Sequence, residues 1–100
     1  MLNPNLSKQS AKFLRRLSKG QPKHAKQIAM KLVELVSNPR PHDCAELKGY
    51  DYLRVDVGEY RIIYTFDDTT LFVDLIGKRN DDEIYEYSNG SRNAKFLTVV

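Results

Sequence analysis

The residues in this chain best suited to chemistry are arginines standing where an arginine is costly. Arg61 lies inside Tyr60-Arg61-Ile62-Ile63-Tyr64-Thr65-Phe66, a run of aromatic and β-branched residues bounded by Gly58 and by Asp67-Asp68. Such a run predicts a central strand. Alternation sets Tyr60, Ile62, Tyr64 and Phe66 on one face and Arg61, Ile63 and Thr65 on the other. A cation placed there needs open water or an anion. In the strand expected just before it, Arg54 and Asp56 alternate with Leu53, Val55 and Val57, giving a polar face opposite an oily one. Guanidinium forks at Arg54 and Arg61 match the geometry of phosphate oxygens. A plain polar strand face, with Arg54 and Asp56 in weak contact, accounts for the same residues.

Further candidates flank these strands. Ile76-Gly77-Lys78-Arg79 closes the apolar part of the chain, and Tyr85 follows six residues after Arg79. A tyrosine so placed either joins the core or offers a face on which a base stacks. Glu46 and Lys48 lie in the segment before the strands. His24 and His42 have the intrinsic pKa for proton transfer, but the sequence puts neither among the arginines, and His24 is expected to be solvated on a helix surface. Cys44 has no second cysteine to pair with and reads as an inert thiol.

The elements that must position these groups follow from local signals. Residues 1–6 suit a short edge strand or an arm, since Pro4 cannot donate to a ladder. Ser7 is an N-cap for a helix over about residues 8–18, with Ala11, Phe13, Leu14 and Leu17 as its apolar stripe and Gly20 at its end. Pro22 opens a second helix running to about Ser37, where Ala25, Ile28, Ala29, Leu32, Leu35 and Val36 recur at helical spacing before Asn38-Pro39. So short a link predicts an antiparallel helical hairpin.

Residues 38–51 read as a connecting loop, and three strands follow at about 52–57, 60–66 and 71–77. Asp74 makes Leu71, Val73 and Leu75 the expected buried set of the last one. The acidic run from Asp81 suits the start of a short C-terminal helix, and Phe96–Val100 is expected to dock as a tail. The expected fold class is therefore α+β: a two-helix hairpin packed on one face of a small antiparallel sheet, with a short C-terminal helix and tail. The other face is left with Arg54, Asp56 and Arg61 as an open polar hollow.

Composition bounds the function classes. At 100 residues, 41% hydrophobic and 29% charged, the chain is expected to be a single domain, residues 1–100, with one modest core. No apolar run approaches the ~18 residues of a membrane span. The N-terminus lacks the basic and apolar parts of a signal peptide, and with a lone cysteine this points to a reducing cytoplasm. The net charge of +3 hides an asymmetry: residues 1–50 carry ten Lys/Arg against three Asp/Glu, and residues 51–100 carry six against ten. A basic half suits a polyanionic partner, and it equally suits a solvated helical surface.

Taken together, Leu47-Lys48-Gly49, the Gly58–Tyr64 strand, Ile76-Gly77-Lys78-Arg79 and the Arg79-to-Tyr85 spacing resemble the RelE/ParE superfamily of bacterial toxins over about residues 7–87. The spacing resembles the RNA-cutting, RelE-like branch. The resemblance implies a type II toxin: a ribosome-dependent endoribonuclease (mRNA interferase) that cuts the messenger in the A site, inhibiting translation. The ribose 2′-hydroxyl would attack its own 3′ phosphate without metal or other cofactor. It also implies neutralisation by a cognate RelB-like antitoxin, with operator DNA reached only through that antitoxin and no membrane partner.

By position, Arg61 resembles the arginine that stabilises the charged phosphate, Arg79 the residue on the leaving-group side, and Tyr85 the base-stacking tyrosine. Arg54 falls on the first of two basic strand positions, and Asp56 on the second, where the type has a lysine implicated as base. Glu46 matches the loop glutamate some relatives use; Lys48 and Lys78 are expected phosphate contacts.

The chemistry itself asks for a base, help for the leaving oxygen and donors for the extra charge on phosphorus. Arg79 suits an electrostatic role better than a literal acid, since a guanidinium does not give up its proton near neutrality. Asp56 would need a pKa raised above ~4 to act as base, and arginines beside it lower it instead. Two other readings remain: a ParE-like DNA gyrase inhibitor, and a catalytically decayed relative that still binds antitoxin.

Overall fold

The computed structural model describes residues 1–47 and 51–80. Lys48, Tyr85, the expected C-terminal helix and the tail lie outside the described residues. Ser7 caps α1 (Lys8–Gly20) as its sequence implies, its hydroxyl accepting from the Ser10 amide at 3.1 Å. Pro22 opens α2 (Pro22–Ser37). The hairpin they form covers one face of a five-stranded sheet in the order β1-β5-β4-β3-β2.

The strands are β1 (Asn3–Leu6), β2 (Ala45–Glu46), β3 (Leu53–Val57), β4 (Tyr60–Phe66) and β5 (Thr70–Lys78). β3, β4 and β5 form the expected meander, joined first by the two-residue turn Gly58-Glu59, where Gly58 takes φ +57°. That positive φ is why a glycine stands at the turn.

Two strands revise the expected all-antiparallel sheet. β1 pairs parallel with β5, Asn3 opposite Thr70 and Leu6 opposite Val73, so the sheet is mixed. The two residues of β2 come from the segment read as loop and pair antiparallel with β3.

The core lies between the helices and the sheet. Ile28, Leu32 and Leu35 of α2 pack on Leu53, Val55, Tyr60, Ile62, Tyr64, Leu71, Val73 and Ile76, with Phe13, Leu14 and Leu17 of α1 against its margin. Burying this much branched and aromatic side chain supplies the main drive to fold. Tyr64, fully buried at its ring, donates its hydroxyl to the Pro39 carbonyl at 2.7 Å and so ties the central strand to the segment after α2.

The buried set of β5 is Leu71, Val73 and Ile76 on the helix side, while Leu75 faces the other way. A bulge explains the change: Tyr64 pairs with Val73 and Ile63 with Leu75, so Asp74 is the extra residue. One inserted residue resets the alternation beyond it. The carbonyls it displaces are taken up by α1. Ser7 Oγ donates to Asp74 O at 2.7 Å and Ser10 Oγ to Val73 O at 3.2 Å. Gln9 spans Ile76, donating to its carbonyl at 2.8 Å and accepting from its amide at 3.0 Å.

Candidate functional site

β3 and β4 place Asp56 directly opposite Arg61 and Arg54 opposite Ile63; β5 places Gly77 opposite Arg61. Since directly opposed residues share a face, Arg54, Asp56 and Arg61 stand on the face away from the helices. Gly77 adds no side chain to that row. Arg79 continues the same alternation, and its amide donates to the Glu59 carbonyl at 2.9 Å, fixing it beside the β3–β4 turn.

The groups converge on Asp56. Arg61 Nε donates to Oδ1 at 2.6 Å and Nη2 to Oδ2 at 3.2 Å, a bidentate charge-assisted pair. Arg79 Nη1 stands 3.9 Å from Oδ2, with its side chain 55% exposed against 13% for Arg61. The hydrogen bond from Arg61, reinforced by the charges of Arg61, Arg54 and Arg79 and opposed by burial, holds the Asp56 carboxyl below the usual carboxylate range. Guanidiniums far apart in sequence thus gather over one surface. Among the described residues, three cations stand around the Asp56 carboxylate, an arrangement suited to a phosphodiester. The same electrostatics make Asp56 a poor base, since its proton affinity is lowered where a base needs it raised.

The remaining candidates are not all in this place. Glu46 pairs opposite Leu53, whose side chain is in the helix-side core, and its carboxylate meets Arg40 at 3.3 Å on an exposed edge. It therefore lies on the other side of the sheet from Arg61, three residues along β3 from Asp56. Lys78 pairs opposite Tyr60 and shares a groove with Phe13, Arg16 and Leu17, so it too faces the helices. Alternation from Arg79 was the signal that separates them. Lys48 and Tyr85 lie outside the described residues.

Two features were missed in the sequence. The face away from the helices is not the open polar hollow expected: Leu47, Ile63 and Leu75 form a buried second cluster there with Tyr52 against it, and Arg61 is only 13% exposed. Asp74 is 6% exposed beside that cluster, and its Oδ2 has no hydrogen-bond partner among the described residues. His24 is not simply solvated: its Nδ1 lies 2.9 Å from the Tyr60 hydroxyl and its ring packs edge-on at 5.4 Å. That interaction belongs to the helix side, away from the arginines.

Comparison with known proteins agrees with this architecture. The family model described as the ParE toxin of the type II toxin–antitoxin system parDE matches residues 5–83. No curated protein matches the chain. Among solved structures, the Escherichia coli toxin RelE, as a double arginine-to-alanine variant in the free state, is similar at 25% identity. It has a TM-score of 0.68 over 87% of this chain and 93% of that one. No helix among the described residues is long and apolar enough to cross a membrane. The chain belongs to the ParE toxin family of type II toxin–antitoxin systems, within the RelE/ParE superfamily.

Proposed function

We propose that this toxin is a ribosome-dependent mRNA interferase, acting in the cytoplasm and silenced by a cognate antitoxin. The observation that carries the reading is the gathering of Arg54, Arg61 and Arg79 around Asp56 on the sheet face away from the helices. In that reading a phosphodiester lies over β3 and β4 while the neighbouring 2′-hydroxyl attacks phosphorus. The bond to the 5′ oxygen breaks and a cyclic phosphate remains; the 2′-hydroxyl proton passes to solvent water, and the departing 5′ oxygen takes a proton from water. Arg61 and Arg54 donate to the non-bridging oxygens as charge builds on them, and Arg79 stabilises the departing oxygen. Arg61, oriented by its pair with Asp56, serves this purpose with little reorganisation, and the more exposed Arg79 is recruited as the strand docks. Asp56 is an electrostatic neighbour in this scheme rather than the base. The ribosome, by holding the messenger strand, supplies the orientation that this shallow surface lacks.

A second reading, a gyrase-directed toxin, is favoured by the ParE family match and by a carboxylate standing at the position of the expected lysine. The two predict opposite outcomes after brief induction. Mapping messenger ends should reveal new 5′ ends inside codons while DNA-damage signalling stays at its basal level. Intact messengers with induced damage signalling would reject the nuclease in favour of gyrase.

A further inference from the structure

We propose that Asp56 is a resident anion in the phosphate seat, a built-in competitor for Arg61 that makes the site select a strand of successive phosphodiesters over a lone phosphate. The inference deepens the reading of the open face as an RNA-binding surface and rests on it. Its basis is geometric. The Nε and Nη2 edge of a guanidinium is an edge with which arginine grips two phosphate oxygens. In this protein both of those atoms are engaged by the two oxygens of Asp56, at 2.6 and 3.2 Å. Arg61 is largely covered, so its head group cannot simply swing to a new partner. A phosphate must therefore displace the carboxylate or share the guanidinium with it, and the carboxylate stays close enough to repel it.

Arg79 is held more loosely. It reaches Asp56 only at 3.9 Å and is mostly exposed, so an incoming anion can recruit it at little cost. Arg54 adds a third charge on the same face. A single phosphate offers too few hydrogen bonds to offset the loss of a bidentate, partly buried ion pair. A strand presenting successive phosphates to Arg54, Arg61 and Arg79 together can do so. The site would then stay closed to mononucleotides and inorganic phosphate and open to a strand. No proton needs to move, since the carboxylate is ionised throughout.

The test is anisotropy of a labelled ten-nucleotide RNA carrying 2′-O-methyl groups throughout, which blocks cleavage, titrated with the full-length protein at low salt. Asp56→Asn keeps the shape and removes the charge. Charge-assisted hydrogen bonds of this kind correspond to about a tenfold or larger gain in affinity when the competitor is neutralised. Inorganic phosphate should displace the RNA from Asp56→Asn at concentrations that leave the parent complex intact. Adding Arg61→Ala should erase the gain.

Equal or weaker binding by a cooperatively melting Asp56→Asn protein would overturn the proposal and make Asp56 a positioning residue for Arg61. Carbon NMR of the Asp56 carboxyl in the parent protein gives a measurement independent of any variant. Its pKa should move up when the RNA is bound, and an unchanged value at saturation also overturns the proposal. Failure of the messenger-end mapping would remove the nuclease reading while leaving these affinity comparisons to be decided on their own.

Discussion

An arginine only 13% exposed must have its charge answered, and on this face Asp56 answers it. That pairing orients the guanidinium, so truncating Arg61 removes a preorganised donor without opening a hole in the helix-side core. Arg61→Ala and Arg79→Ala are each expected to lower messenger cleavage by about 10²–10³-fold, the cost typical of losing one preorganised donor. Both should relieve growth arrest at unchanged abundance and with a cooperative melt. Two toxic variants would place the active surface elsewhere.

Asp74 presents the opposite electrostatic case. Burial pushes its carboxyl above the ordinary 3.8, against a hydrogen bond from Tyr52 that pulls it down. The native state then binds that proton more tightly than the unfolded chain does. The stabilising contribution is complete below the unfolded value of 3.8 and is lost as pH rises through the native one. Asp74→Asn retains an oxygen for Tyr52 and has no charge to bury. It is expected to be more stable than the parent at neutral pH by about 1–2 kcal/mol, on the scale of an unsatisfied buried group. That advantage should disappear in urea titrations below about pH 4. Asp56 has the reverse sign: its contribution is present above 3.8 and is lost as pH falls through its lowered native value.

At the scale of elements, the N-terminus of α1 does the work of a missing strand. β1 pairs with β5 only as far as Val73, and past that point Ser7, Gln9 and Ser10 take over the β5 backbone. Gln9→Ala would leave both polar groups of Ile76 without their side-chain partner, and a loss of about 1–3 kcal/mol in urea unfolding is expected. A loss within about 0.5 kcal/mol, the range of an ordinary surface change, would mean water replaces the amide at no cost.

The same region shows why part of the fold was legible and part was not. Both helices, their cap and the three meander strands announce themselves in local signals: Ser7, Gly20, Pro22, and the alternating runs around Arg54 and Arg61. The parallel pairing of β1 joins residues 67 apart, Asn3 with Thr70, and no local pattern encodes it. The bulge at Asp74 moved Leu75 to the open face, a reversal hidden because strict alternation was assumed past an acidic residue. Glu46 and Lys78 followed the same logic. Each is near the arginines in sequence, yet parity along the strand sets it on the helix side. The Arg54, Asp56 and Arg61 face was readable because all three lie within two adjacent strands joined by a two-residue turn.

Across the whole molecule, charge is arranged in two tiers that serve different distances. No carboxylate side chain precedes Glu34, and Lys8, Lys12, Arg15, Arg16, Lys19, Lys23 and Lys26 are all exposed on the helical hairpin. None of these seven is in an ion pair among the described residues. They lie behind the sheet from Arg61, away from the phosphodiester that the proposed function seats there. On that proposal their field would draw the protein to a polyanion large enough to meet both faces, such as an assembled ribosome.

Replacing Lys8, Lys12, Arg15 and Lys19 with glutamine keeps helix propensity close to that of lysine and arginine. The folded state should therefore melt as before. Binding to purified ribosomes should weaken, and the slope of log affinity against log salt should shrink by roughly 0.7–0.9 for each phosphate that the helices no longer neutralise. Anisotropy with a three-nucleotide 2′-O-methyl RNA should change far less, because that ligand is short enough to stay on the arginine face. An equal weakening on both ligands would mean the helical cations and the arginines act on the same stretch of RNA, and an unchanged ribosome slope would leave the basic hairpin as a solvated surface.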